Sequence, residues 1–152
     1  MSRPGWIAPD RAQVTPFAIC RKPEEVIAFA ETVFDASLVR PVLHHHDGKV
    51  WNAELRIGEG SVLIGEASDG FERPAFIYVH VPDTDATFRK ALENGGTEFM
   101  APTMQFYGDY DGGVEDMGGN IWWIGTHRKT LCPDEIETRA RAEERQRAGD
   151  PA

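Results

Sequence analysis

The sequence predicts an α+β domain that uses one βαβββ unit twice, and three observations carry that prediction. Short runs of β-branched and aromatic residues are bounded by Gly, Pro and Asp, as strands between turns are. Two segments place apolar residues at helical spacing. The second half then repeats the order of the first: Val14 matches Ala75 and Ile27 matches Phe88, both 61 residues on, and Val62 matches Ile121, 59 on.

Taken in order, Val14 to Cys20 reads as a strand ending at Arg21, Lys22 and Pro23. In Glu24 to Asp35, Val26, Phe29, Ala30 and Val33 recur at i, i+3, i+4 and i+7, with Pro23 and two glutamates suited to a first turn. Ser37 to Leu43, Val50 to Ile57 and Ser61 to Glu66 follow as strands, split by the Asp47-Gly48 and Gly58 to Gly60 turns. Ala75 to Val81 opens the second unit, Pro82 breaks it, and Thr84 to Glu93 is a short helix stopped by Gly95 and Gly96. Phe99 to Tyr107, Gly113 to Asp116 and Asn120 to His127 supply its last strands, and Pro133 to Arg147 a charged helix or tail. The expected organisation is a leader over 1–13, a domain over 14–127 with units 14–67 and 75–127, and a charged tail over 128–152.

Composition bounds the rest. A chain of 152 residues, 41% hydrophobic and 27% charged with 15 aromatics, is globular and supports one core. No apolar run approaches the ~20 residues of a membrane helix. The polar start, Met1 to Gln13, has no secretion-type apolar run, so a cytoplasmic protein is expected. Cys20 and Cys132 form no CxxC motif and read as reduced thiols. Of the net charge of −9, residues 14–132 hold −8, from ten bases and eighteen acids. Such a surface repels a polyphosphate and argues against a nucleic-acid partner, although solubility alone also accounts for it.

The two βαβββ units and the closing run from Tyr107 to His127, YGDYDGGVEDMGGNIWWIGTH, resemble the vicinal oxygen chelate superfamily, nearest its PhnB-like glyoxalase/bleomycin-resistance branch. The likeness spans about Val14 to His127. Tyr110 stands where the branch tends to have Arg, Met117 where it has Pro, and Gly125 where it has Ala. The resemblance implies curled mixed and antiparallel sheets around a concave cavity, frequently in a homodimer, holding a small ligand and, in the enzymes, a divalent metal near the first and last strands of each unit.

Repeat arithmetic and strand alternation put those metal positions at Thr15, Ile64, Phe76 and Trp123, which offer almost no imidazole or carboxylate donors. A slip of one residue puts Val14, Ile77 and Trp122 there instead, again without ligands. No metal or other cofactor is therefore expected. In the chosen register the concave face carries Thr15, Phe17 and Ile19, then Phe76, Tyr78 and His80, then Ile64, Glu66 and Trp123. Thr15, Phe17, Ile64, Phe76, Tyr78 and Trp123 are the ligand-binding candidates, an aromatic lining suited to a flat or apolar molecule, although core filling explains any single ring. Glu66 and His80, titratable groups on one face, are the catalytic acid–base candidates.

Other polar clusters read more plainly. His44 and His46 flank His45 at a zinc-compatible spacing with no third ligand, so an exposed hairpin end is preferred. Asp109, Asp111, Glu115 and Asp116 fail the calcium-loop pattern and read as a solvated acidic loop. Asn52 and Glu54 share a face, and Asn52 stands where the branch often has His.

The leading expectation is metal-free binding of a small aromatic or cationic compound, of a sequestration or resistance type. The alternative is a lyase, isomerase or dioxygenase, either metal-dependent or using Glu66 with His80. A third is a partner-binding subunit working through a dimer surface and the tail.

Overall fold

The computed structural model describes residues 3–9 and 11–149. The first unit contains β1 (Phe17–Cys20), α1 (Pro23–Phe34), β2 (Ser37–Leu38), β3 (Leu43–His44), β4 (Val50–Ile57) and β5 (Gly60–Glu66). The second contains β6 (Phe76–His80), α2 (Thr84–Glu93), β7 (Thr97–Met104), β8 (Asp109–Glu115) and β9 (Ile121–His127), and α3 (Pro133–Arg147) follows.

The repeat is explicit in the sheets. One runs β1-β5-β4-β2 with β3 also on β4, the other β6-β9-β8-β7, and the first strand of each unit lies parallel to the last. Both sheets are open and not curled, unlike the curled form the resemblance implied. Expected boundaries shift where backbone chemistry overrides composition. Val14 is 81% exposed and precedes β1, while the run from Ser37 breaks into β2 and β3 around Pro41, which has no N–H for a ladder. The segment read as an acidic loop is strand from Asp109 onward, paired along its length with β9.

Helix α1 begins after Lys22, itself left-handed at φ 50°, with Pro23 in the first turn. It buries Val26, Phe29, Ala30 and Val33, the face its periodicity marks. At α2, the Asp83 side chain accepts from the Ala86 N–H at 3.0 Å. One apolar cluster joins the units: Phe34 lies 4.9 Å from Trp122 between ring centres and Phe29 lies 6.4 Å from it. Asp116, far from being solvated, is buried and accepts the Trp122 indole N–H at 2.8 Å and the Gly118 and Asn120 N–H groups at 2.8 and 3.0 Å. Asn120 in turn accepts from the Ala75 N–H at 2.9 Å, which ties the start of β6 to the last turn. Among the described residues no helix is long and apolar enough to cross a membrane.

Candidate active site on the second sheet

Alternation sorts each strand into a face against the helices and a face away from them. In β6, Ile77 and Val79 enter the core, and Phe76, Tyr78 and His80 project away from it. Their partners across β9 are Ile121, Trp123 and Gly125, so Trp123 shares their face. Phe17 and Ile19 likewise lie opposite the core residues Ala18 and Cys20.

Two candidates fall elsewhere. Phe17 pairs with Leu63 and Ala18 with Ile64, so Leu63 and Gly65 share the face of Phe17, while Ile64 is a fully buried core residue. Glu66 pairs with Cys20 on the opposite face from Phe17, and its carboxylate accepts the Val50 N–H at 2.9 Å. Glu66 and His80 therefore do not form a pair. A shift of one residue in β5 caused both misplacements, because strand parity decides the face. Thr15 precedes β1, its hydroxyl donating to the Ala12 carbonyl at 3.3 Å in a local turn.

The face of the second sheet carries two connected groups. The first is an aromatic shelf. The Phe76 and Trp123 rings stack at 5.6 Å, and Phe99 meets them edge-on at 6.4 and 6.1 Å. The indole lies across Gly113, where a Cβ would come within 2.7 Å of it. Phe76 remains 64% exposed.

The second group joins two buried carboxylates, two phenols and two imidazoles. The Tyr78 hydroxyl lies 2.7 Å from an Asp109 oxygen and 3.0 Å from an Asp111 oxygen, and Tyr107 donates to that same Asp111 oxygen. His127 Nδ1 is 2.6 Å from Asp109, with Nε2 turned to Thr130 at 2.8 Å, and His80 Nε2 lies 3.5 Å from Asp109. Burial, together with hydrogen bonds to these carboxylates, pushes both phenols well above the ordinary tyrosine range and keeps them donors. Burial alone would raise Asp109, but the bonds from Tyr78 and His127 and the charges of His127 and His80 hold it below its ordinary value. Asp111 is fully buried, and its Oδ1 has no hydrogen-bond partner among the described residues.

Tyr78 and His80 also line a cavity of about 670 Å³, walled by Val33 and Phe34 of α1, the β4–β5 hairpin and residues 12, 14 and 16. Thr15, Phe17, Ile64, Phe76 and Trp123 do not line it. The residues at the implied metal positions do not fit a divalent ion, and among the described residues no group of three His, Cys, Asp or Glu side chains is placed to hold one. His44 instead contacts Glu24 at 3.1 Å, and His45 stacks on Trp51 at 4.4 Å.

Asp109, Asp111, Tyr107 and His127 were missed as site residues. Their signal was parity: 109, 111 and 113 alternate along one strand, with Tyr107 in the turn just before it, and Gly113 and Gly125 leave room on the same face for rings.

No family model matches the chain. An uncharacterized protein of Mycobacterium bovis is 33% identical over 104 residues, covering 60% of this chain and 68% of that protein. A Mycobacterium tuberculosis relative matches at the same identity over 61% of its own length. Among solved structures, TioX from Micromonospora sp. ML1 superposes with a TM-score of 0.61 at 19% identity, over 76% of this chain and 98% of that one. A glyoxalase/bleomycin resistance protein/dioxygenase family enzyme from Burkholderia phytofirmans PsJN gives 0.56 at 17% identity, over 75% and 95%. A PhnB protein from Bacillus cereus gives 0.58 at 17%, over 76% and 99%. The chain thus belongs to one family with the Mycobacterium bovis protein, and its fold is that of the vicinal oxygen chelate superfamily of glyoxalases, bleomycin resistance proteins and dioxygenases.

Proposed function

We propose that the protein binds a small aromatic cation, without a metal, on the outward face of its second sheet, in a sequestration type of role. The observation that carries this reading is Asp111: a fully buried carboxylate with one unmatched oxygen, in the same sheet face as the Phe76–Trp123–Phe99 shelf. A planar ring stacks on the shelf, and a positive group is drawn to the two carboxylates. The test is titration of tryptophan emission with an aminoacridinium dye and with its uncharged isostere. Saturable quenching by the cation, lost in Asp111→Asn and in Trp123→Ala, supports the proposal. Equal response to both compounds, or none, overturns it.

His80 favours one second reading, because it lines the cavity 3.5 Å from Asp109. An acid–base enzyme of this fold would use that pair in place of Glu66 and His80. Exchange of α-hydrogens of carbonyl compounds in deuterated water, abolished by His80→Gln, would support it. Absence of exchange across such compounds would remove it. A homodimer fits the exposed Phe76 and Phe99 rings; sedimentation as a monomer at all concentrations would dismiss it.

A further inference from the structure

The first unit holds a buried carboxylate of its own on its outward face. Glu54 pairs across β4 and β5 with Leu63, the partner of Phe17, yet it is only 1% exposed. What covers it includes Arg11, whose Nη2 lies 2.9 Å from Oε2, and Arg40, whose Nη2 lies 3.2 Å from the same oxygen. The hydrogen bond from Arg11, reinforced by the charges of Arg11, Arg40 and Arg56 and opposed by burial, holds Glu54 below the usual carboxylate range. Glu54 is thus ionised in the folded protein near neutrality.

The match between Arg11 and Glu54 is incomplete. Glu54 Oε1 and Arg11 Nε are both buried, and neither has a hydrogen-bond partner among the described residues. A guanidinium free to turn can present two parallel N–H groups to both carboxylate oxygens, whereas Arg11, tethered to its backbone, bonds only one. Among the described residues, the backbone N–H of Arg11 goes to Ala8 and that of Ile7 to Pro4, bonds within the segment, and the Pro16 carbonyl accepts from Leu63 of the sheet at 2.9 Å. Ala12, Val14 and Pro16, which follow Arg11, form one wall of the 670 Å³ cavity.

We propose that Glu54 is a seat for a guanidinium- or amidinium-bearing small molecule, that Arg11 fills this seat in cis, and that such a ligand enters by displacing Arg11 and lifting the 12–16 wall from the cavity. The seat belongs to the other sheet and stands independently of the reading given to Asp111. Because Arg40 and Arg56 stay beside the carboxylate, charge alone favours no further cation. The planar paired donors of a guanidinium distinguish it from an ammonium of equal charge.

The experiment is thermal unfolding of the full chain with ethylguanidinium or ethylammonium, for wild type, Arg11→Ala, Arg11→Lys and Arg11→Ala/Glu54→Gln. Arg11→Ala vacates the seat, so ethylguanidinium should raise its Tm saturably, by about 3–6 °C at tenfold excess over Kd. Ethylammonium should leave it unmoved, and wild type and Arg11→Lys, in which a tethered side chain competes for the seat, should rise by less with ethylguanidinium and not at all with ethylammonium. The double variant should respond to neither; if it fails to fold, Arg11→Lys is the control that leaves Glu54 intact. A rise of the same size in Arg11→Lys, an equal rise with ethylammonium, or no rise in folded Arg11→Ala overturns the proposal.

Discussion

The phenol of Tyr78 lies directly over Gly125: a Cβ on that glycine would sit 2.2 Å from the hydroxyl oxygen and 3.0 Å from the Asp111 Cβ. Gly125→Ala therefore forces Tyr78 off its carboxylate partners, while the backbone of β9 accepts alanine readily. Destabilisation of about 1–3 kcal/mol is expected, read from urea midpoints, with loss of the dye response if Tyr78 holds the carboxylates in place.

The three tyrosines are all raised above the ordinary range: Tyr78 and Tyr107 by burial and their aspartate bonds, Tyr110 chiefly by its bond to Asp85. The unfolded chain releases these protons near pH ~10 and the folded one only higher, so the stability they give is complete below ~10 and is lost as pH rises beyond it. Alkaline titration followed by phenolate absorbance should show little ionisation until circular dichroism reports unfolding. Phenolate appearing near pH ~10 in the folded protein would contradict the described bonds.

Acid acts in the opposite direction. Glu54 and Asp109 are depressed when folded, so the unfolded chain takes up their protons first, near pH ~4. Their contribution is complete above that pH and falls away as pH drops toward the folded values. Urea midpoints should decline steeply below pH ~4, and less steeply in Glu54→Gln.

Trp122 is fully buried against Phe29 and Phe34 and donates to Asp116. Trp122→Phe leaves a buried acceptor short of one donor and should cost about 1–3 kcal/mol; Trp122→Ala also opens a cavity and should cost about 3–5 kcal/mol. Calorimetry of the two variants checks the order. A smaller cost for alanine than for phenylalanine would refute this packing account.

The helices and the repeat were legible because Val26, Phe29, Ala30 and Val33 can share a face only in a helix, and Pro23 and Gly95 mark their ends. The register of β5 was not. The observed pairings of Phe17 with Leu63 and of Tyr78 with Trp123 make the spacing between the two units 60 there, between the 61 and 59 read from sequence. One residue was enough to send Ile64 into the core and Glu66 to the other face. Asp-Tyr-Asp-Gly-Gly over 109–113 has the composition of a turn, and its place in β8 comes from pairing to β9, a long-range choice that local propensity does not encode. Hence Phe76, Tyr78, His80 and Trp123 were found on their face, and the carboxylates beside them were read as solvated.

The backbone of Ile19 exchanges hydrogen bonds with Arg73, at 3.0 and 2.8 Å, along the side of β1 away from β5. The linker between the repeats thus doubles as a guard rail on an otherwise raw sheet border. Cutting the chain after residue 67 would strip that border as well as half the core, so an isolated first repeat should clump through strand addition while the undivided chain does not.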